Sequence, residues 1–422
     1  MHRPPEPHLS FTIPSIHDDT TLDCRIYHPE DVSNPQIKGS EDSRPWRTKG
    51  IVMAHPYAPM GGSYDDRVVG IVVEESLSLG YFVGTFNFRG AHGSKGRTSW
   101  TGKPELNDYI SFAAFFIHYL SYLNLFPSSD ANFMPDQSPI SPPSQNQGGL
   151  SRTSTKEKPL VILGGYSYGS LILRHLPPIL PLLQSFSMPL DGTATSEILL
   201  RARKLADQSN QEWINLARDR LRQNSPQKGK GHENKLSVTI GGEETSPDVR
   251  RSSREIRRSM EGSRSLDLGR RMRSLSHRRL IRPQTPPDDP KVKQGRLEIE
   301  VPDARYLLIS PLVPPLSTLA ATGLGHKFWN GTLGSHHETL VHNPTLAIYG
   351  DQDGFASAKK VQQWTKKLCV VLGTKFSFVE VAGAGHFWHE PGVERQLRDT
   401  LKAWERGKVK GWEGALGHTD LN

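Results

Sequence analysis

The chain has 422 residues, two cysteines and a formal net charge of +8. Two cysteines, Cys24 and Cys369, are too few for a disulfide framework; we read both as buried thiols, which excludes the small secreted scaffolds and fits a reducing compartment. The opening "MHRPPEPHLSFTIPS" lacks the apolar core of a signal peptide and no run approaches the roughly 18 apolar residues of a membrane span, so a soluble, cytoplasmic protein without a transmembrane segment is expected.

In chain order, "LSFTIP" (9–14) and "LDCRIYHP" (22–29) read as an antiparallel entry pair. "GIVMAHP" from Gly50 is a buried strand, 65–79 a helix, and "GYFVGTFNFRG" from Gly80 another strand. An amphipathic helix over 105–123 follows. Then "LVIL" (160–163) reads as a short buried strand, and in "GGYSYGSLILRHL" the apolar pattern resumes at 171–173, where it can start a helix. Helical periodicity returns over 196–221, strands at 305–311, 344–350 and 375–383, and helices over 357–372 and 393–406. Strands separated by helices of this size predict a mostly parallel, twisted sheet with helices on both faces.

Two segments break the alternation. Residues 126–158 are rich in Ser, Pro, Asn and Gln, and 222–293 in Arg, Ser, Gly and Pro. Neither buries enough apolar surface to offset its ordering entropy, so both are expected to be disordered insertions. The second carries 18 Lys and Arg against 9 Asp and Glu, a net of +9, which leaves the remainder of this +8 chain near neutral. Basic character confined to one segment argues against nucleic acid as the partner of the folded part. Within that segment "RRSSR", "RRSM" and "RMRSLSHRR" set serines beside arginines, which suits a basophilic kinase or an anionic partner.

The chemistry concentrates around Ser167. In "GGYSYGS" a strand turns at once into a helix, which strains the hinge residue and demands small neighbours two positions away; Gly165 and Gly169 meet that demand. Such an elbow exposes Ser167 Oγ at the carboxyl edge of the sheet. A serine nucleophile needs an imidazole, and the imidazole needs a carboxylate that fixes its tautomer. His386 in "VAGAGHFWH" follows the last strand, and "YGDQDGF" after the preceding strand supplies Asp351 and Asp353. The oxyanion needs backbone N–H donors, for which the candidates are Tyr168, after the serine, and Tyr57, in "AHPYAPMGGS" after the third strand.

The blocks "HPYAPMGGS", "FNFRGAHGSKG", "GGYSYGS", "YGDQDGF" and "AGAGHFW" resemble, in order, the motifs of the α/β-hydrolase superfamily, close to its prolyl-oligopeptidase-like predicted serine hydrolases. The resemblance implies a single α/β-hydrolase domain over 1–422, a triad of Ser167, Asp353 and His386, and Tyr57 and Tyr168 at the oxyanion hole. Spacing in the resembled motif favours Asp353 over Asp351. Residues 311–343, with Phe328 and Trp329, occupy the place of a short cap over the site. Arg89 is expected to anchor its loop through backbone carbonyls, and His92 to be a solvated loop residue. His336–His337, and His386 with His389, lack a matching ligand set, so neither a metal nor a cofactor is expected. The expected reaction is cleavage of a small-molecule acyl ester or thioester. An oligopeptidase-like amide hydrolase, or a hydrolase-shaped scaffold acting through the basic insertion, are the alternatives.

Overall fold

The computed structural model describes residues 5–30, 47–124, 158–224, 300–313 and 333–409. The expected insertion at 126–158 lies outside them up to Lys158, that at 222–293 lies outside them beyond the end of a helix, and the expected cap at 311–343 lies outside them over 314–332. The chain separates into a unit of Met1–Arg222 with Gln294–Asn422, which carries the sheet, and a second of Gln223–Lys293.

Among the described residues the strands are β1 (Leu9–Pro14), β2 (Thr21–Tyr27), β3 (Lys49–Ala54), β4 (Phe82–Phe86), β5 (Leu160–Tyr166), β6 (Asp303–Ile309), β7 (Thr345–Gly350) and β8 (Phe376–Val381). They form one sheet in the order β1-β2-β4-β3-β5-β6-β7-β8. β2 pairs antiparallel with both β1 and β4, while every pairing from β4 to β8 is parallel, so β2 alone runs against the rest. This order, with helices in the crossovers and the elbow after β5, is the α/β-hydrolase fold.

The helices are α1 (Arg67–Ser78), α2 (Lys103–Tyr122), α3 (Tyr168–Leu173), α4 (Ile179–Gln184), α5 (Ala194–Asn224), α6 (Leu333–His342), α7 (Ala358–Cys369) and α8 (Val393–Glu405). Strand side chains alternate between two cores, as a period of two requires. Val52, Ala54, Phe82 and Phe86 join Phe112, Phe116 and Leu171 on the face of α2 and α3. Ile51, Met53 and Val83 join Val69, Val72 and Leu397 on the face of α1 and α8. Central strands buried on both faces read as unbroken apolar runs, which is why β5 is "LVILGGY" with every residue buried.

Two expectations are corrected. Arg89 anchors its loop through carboxylates rather than carbonyls: its guanidinium meets Asp108 through Nε (2.9 Å) and Nη2 (2.7 Å), and Asp18 through Nη1 (2.9 Å). Asp108 is fully buried on α2 and also accepts the Arg89 backbone N–H, so a planar two-pronged donor was required there. The same guanidinium holds the Asp18 carboxyl down at about 2. Of the two thiols, Cys24 is buried but Cys369 is only partly so. His92 is exposed.

Candidate active site

Ser167 sits between the last residue of β5 and the first of α3 with φ 54° and ψ −112°, a left-handed conformation that a non-glycine residue adopts only under constraint. The constraint is visible on both sides. A Cβ on Gly165 would stand 2.4 Å from the Gly169 carbonyl group, and one on Gly169 would stand 2.6 Å from the Ala54 carbonyl oxygen at the end of β3. The strand, the helix and the neighbouring strand therefore pass one another at distances only glycine permits. The Ser167 N–H donates to Ile309 O at the end of β6 (2.9 Å), which ties the turn to the sheet.

From this turn a chain of hydrogen bonds runs to the loops after β7 and β8. Ser167 Oγ lies 2.8 Å from His386 Nε2, and His386 Nδ1 lies 2.8 Å from Asp353 Oδ2. The other carboxylate oxygen, Asp353 Oδ1, accepts the backbone N–H groups of Phe355 and Ala356, each at 2.8 Å. An acceptor at Nδ1 fixes the proton on that nitrogen and leaves the Nε2 lone pair facing the hydroxyl. Ser167, Asp353 and His386 are all buried, with exposures of 6 to 8%. Asp351 is engaged elsewhere: its Oδ1 accepts the Gly383 N–H at 2.7 Å, closing the turn beside the last strand.

The oxyanion candidates are brought together too. Tyr168 is the first residue of α3, so its backbone N–H has no acceptor within the helix. Tyr57 caps a single turn at Ala58–Met60, its carbonyl accepting N–H groups from Met60 and Gly62, and its ring meets that of Tyr168 edge-on at 5.1 Å. The preceding His55 is fully buried and locks this loop. Its Nε2 accepts the Phe88 N–H at 2.9 Å, which assigns the proton to Nδ1, 2.6 Å from Pro56 O. Burial pushes its pKa down to about 4, so it stays neutral as this bridge needs.

Sequence reasoning did not single out the residues that hold the imidazole loop. The Tyr166 hydroxyl donates to His386 O (2.7 Å), so the residue before the serine grips the residue that faces it. Trp388, with φ 56° and its ring fully buried, donates from Nε1 to Ser310 Oγ (3.0 Å). The adjacency of Tyr166 to Ser167 and the "HFW" triplet were signals in the chain, but neither names its partner.

No family model matches the sequence, and no curated protein matches it. Among solved structures the chain is similar to an alpha-beta serine hydrolase homologue from Coxiella burnetii, at 15% identity and a TM-score of 0.40 over 94% of this chain and 97% of that one. It is similar to an a/b serine hydrolase without lid from Xanthomonas campestris, at 13% and 0.41 over 96% and 97%. An esterase from Pyrococcus furiosus matches at 10% and 0.40 over 95% and 91%. At such identities and scores the fold assignment rests on the strand order of this chain.

Proposed function

We propose that this protein is a serine hydrolase that cleaves an acyl ester or thioester through an acyl-enzyme on Ser167. The observation that carries the reading is the unbroken line from Ser167 Oγ through His386 to Asp353, at 2.8 Å per step, on a strained elbow at the carboxyl edge of the sheet. His386 Nε2 takes the Ser167 proton as Oγ attacks the acyl carbon, and the Asp353 carboxylate stabilises the imidazolium that forms. The oxyanion of the tetrahedral intermediate is held by the N–H groups of Tyr168 and Tyr57. On collapse the carbon–leaving-group bond breaks, and Nε2–H protonates the departing oxygen or sulfur. Water then attacks the acyl-enzyme with His386 again as base, releasing the acid and restoring the Ser167 hydroxyl.

A fluorophosphonate probe tests this directly. Labelling is expected on the wild type and absent from Ser167→Ala. A wild-type protein that stays unlabelled while folded sinks the proposal.

A further inference from the structure

The imidazole that must protonate the leaving group is walled by aromatic rings that remain partly exposed. Phe355 lies tilted against His386 with centroids 4.7 Å apart, and Phe387 meets the same imidazole edge-on at 5.5 Å. The two phenylalanines contact each other at 5.4 Å, and the His389 ring stacks beyond Phe387 at 6.1 Å. His386 itself is 6% exposed, whereas Phe355 is 36% and Phe387 48% exposed. Apolar surface therefore surrounds the base and faces solvent beside it.

Resting on the serine hydrolase reading, we infer that Phe355 and Phe387 form a leaving-group subsite that selects esters of aromatic alcohols. The chemistry places the occupant. The acyl part is fixed between Ser167 Oγ and the oxyanion donors, while the departing oxygen must come within hydrogen-bond reach of His386 Nε2 to receive its proton. Whatever that oxygen carries then extends over the imidazole surroundings, where the rings stand. A flat aromatic group gains stacked or edge-on contacts with both phenylalanines as it is desolvated; a methyl group reaches neither. The rings also come from the same two loops as the acid and the base, since Phe355 N–H holds Asp353 Oδ1 and Phe387 follows His386.

The test keeps the acyl group constant and varies the alcohol. Benzyl and methyl acetate yield the same acyl-enzyme, so the ratio of their kcat/KM values reports only steps up to acylation. The wild type is expected to favour benzyl acetate by about tenfold or more, within the range an apolar pocket supplies. Phe387→Ala should cut that ratio by about tenfold, while Phe387→Trp should keep it. A wild-type ratio near one overturns the inference, as does an Ala variant that slows both esters equally, because the rings would then serve only the imidazole. Fluorophosphonate labelling of Ser167 separates the two failures: a labelled enzyme indifferent to the alcohol loses the subsite alone, and an unlabelled one loses the hydrolase reading with it.

Discussion

Asp353 and Asp351 are two residues apart and chemically identical, yet their surroundings divide the work. Asp353 is 8% exposed and presents one oxygen to His386 and the other to two backbone N–H groups. Asp351 closes a turn through Gly383. Asp353→Asn keeps the shape but replaces an acceptor-only carboxylate by an amide that can present N–H to Nδ1, favouring the wrong tautomer. A loss of ester turnover on the order of 10³-fold or more is expected, against a few-fold for Asp351→Asn. The reverse order of effects in kcat/KM would overturn the assignment. Here the sequence offered two carboxylates at the same edge, and the spacing of the resembled motif favoured Asp353, the one that meets His386 Nδ1. What it could not encode locally is the grip on the His386 loop. Tyr166 and His386 are 220 positions apart, and Trp388 and Ser310 are 78 apart. Those contacts exist only once the sheet has set strand neighbours.

At the scale of elements, the strands were legible because each is a short apolar run between turn signals, whereas their order, with β4 between β2 and β3, is set by pairings that no single run contains. Two helices escaped. α4 is six residues long, is preceded by Pro177–Pro178 and contains Pro181, so its sequence reads as a turn. α6 opens on "LGSHHETL", with no apolar stripe strong enough to announce it. Sequence reading also missed the bridge between the loops after β3 and β4, made by His55. That bridge has a pH consequence whose sign follows from protons bound. With its pKa near 4 when folded, against an ordinary value of 6.5, His55 binds fewer protons folded than unfolded between those limits. Stability is therefore unaffected above about pH 6.5 and falls as pH drops toward 4. His28, lowered to about 3, and His118, lowered to about 4, both by burial, act in the same direction. Urea midpoints should fall steadily from about pH 6.5 to about 4.5, and His55→Gln should reduce that slope. A flat profile through this window would contradict the buried neutral imidazole.

At the scale of the whole molecule, the residues of the candidate site share one edge of the sheet. Ser167, the Asp353 loop and the His386 loop follow the carboxyl ends of β5, β7 and β8. The described residues flanking the long segments lie at the opposite edge: Asn124, just past α2, meets Asn210 of α5, while Lys158 and Glu300 precede β5 and β6, whose first residues Leu160 and Asp303 are paired. α5 descends the same way, with Trp213 on Phe82 at the start of β4. Replacing 225–299 by a flexible Gly-Ser linker is therefore expected to leave ester turnover within a few-fold. A hundredfold loss with the fold intact would place that segment at the catalytic edge. The separation of Ser167 from His386 by 219 positions has another effect, on synthesis. Among the described residues β8 is an edge strand paired only with β7, and His386 follows it. A nascent chain still short of residue 386 can hold every strand through β7 and a finished elbow, yet its serine has no base. On the proposed chemistry, products terminated before residue 386 are inert toward esters, and hydrolysis first appears when translation has passed the His386 loop, so catalytic output counts chains that carry that loop rather than all collapsed ones.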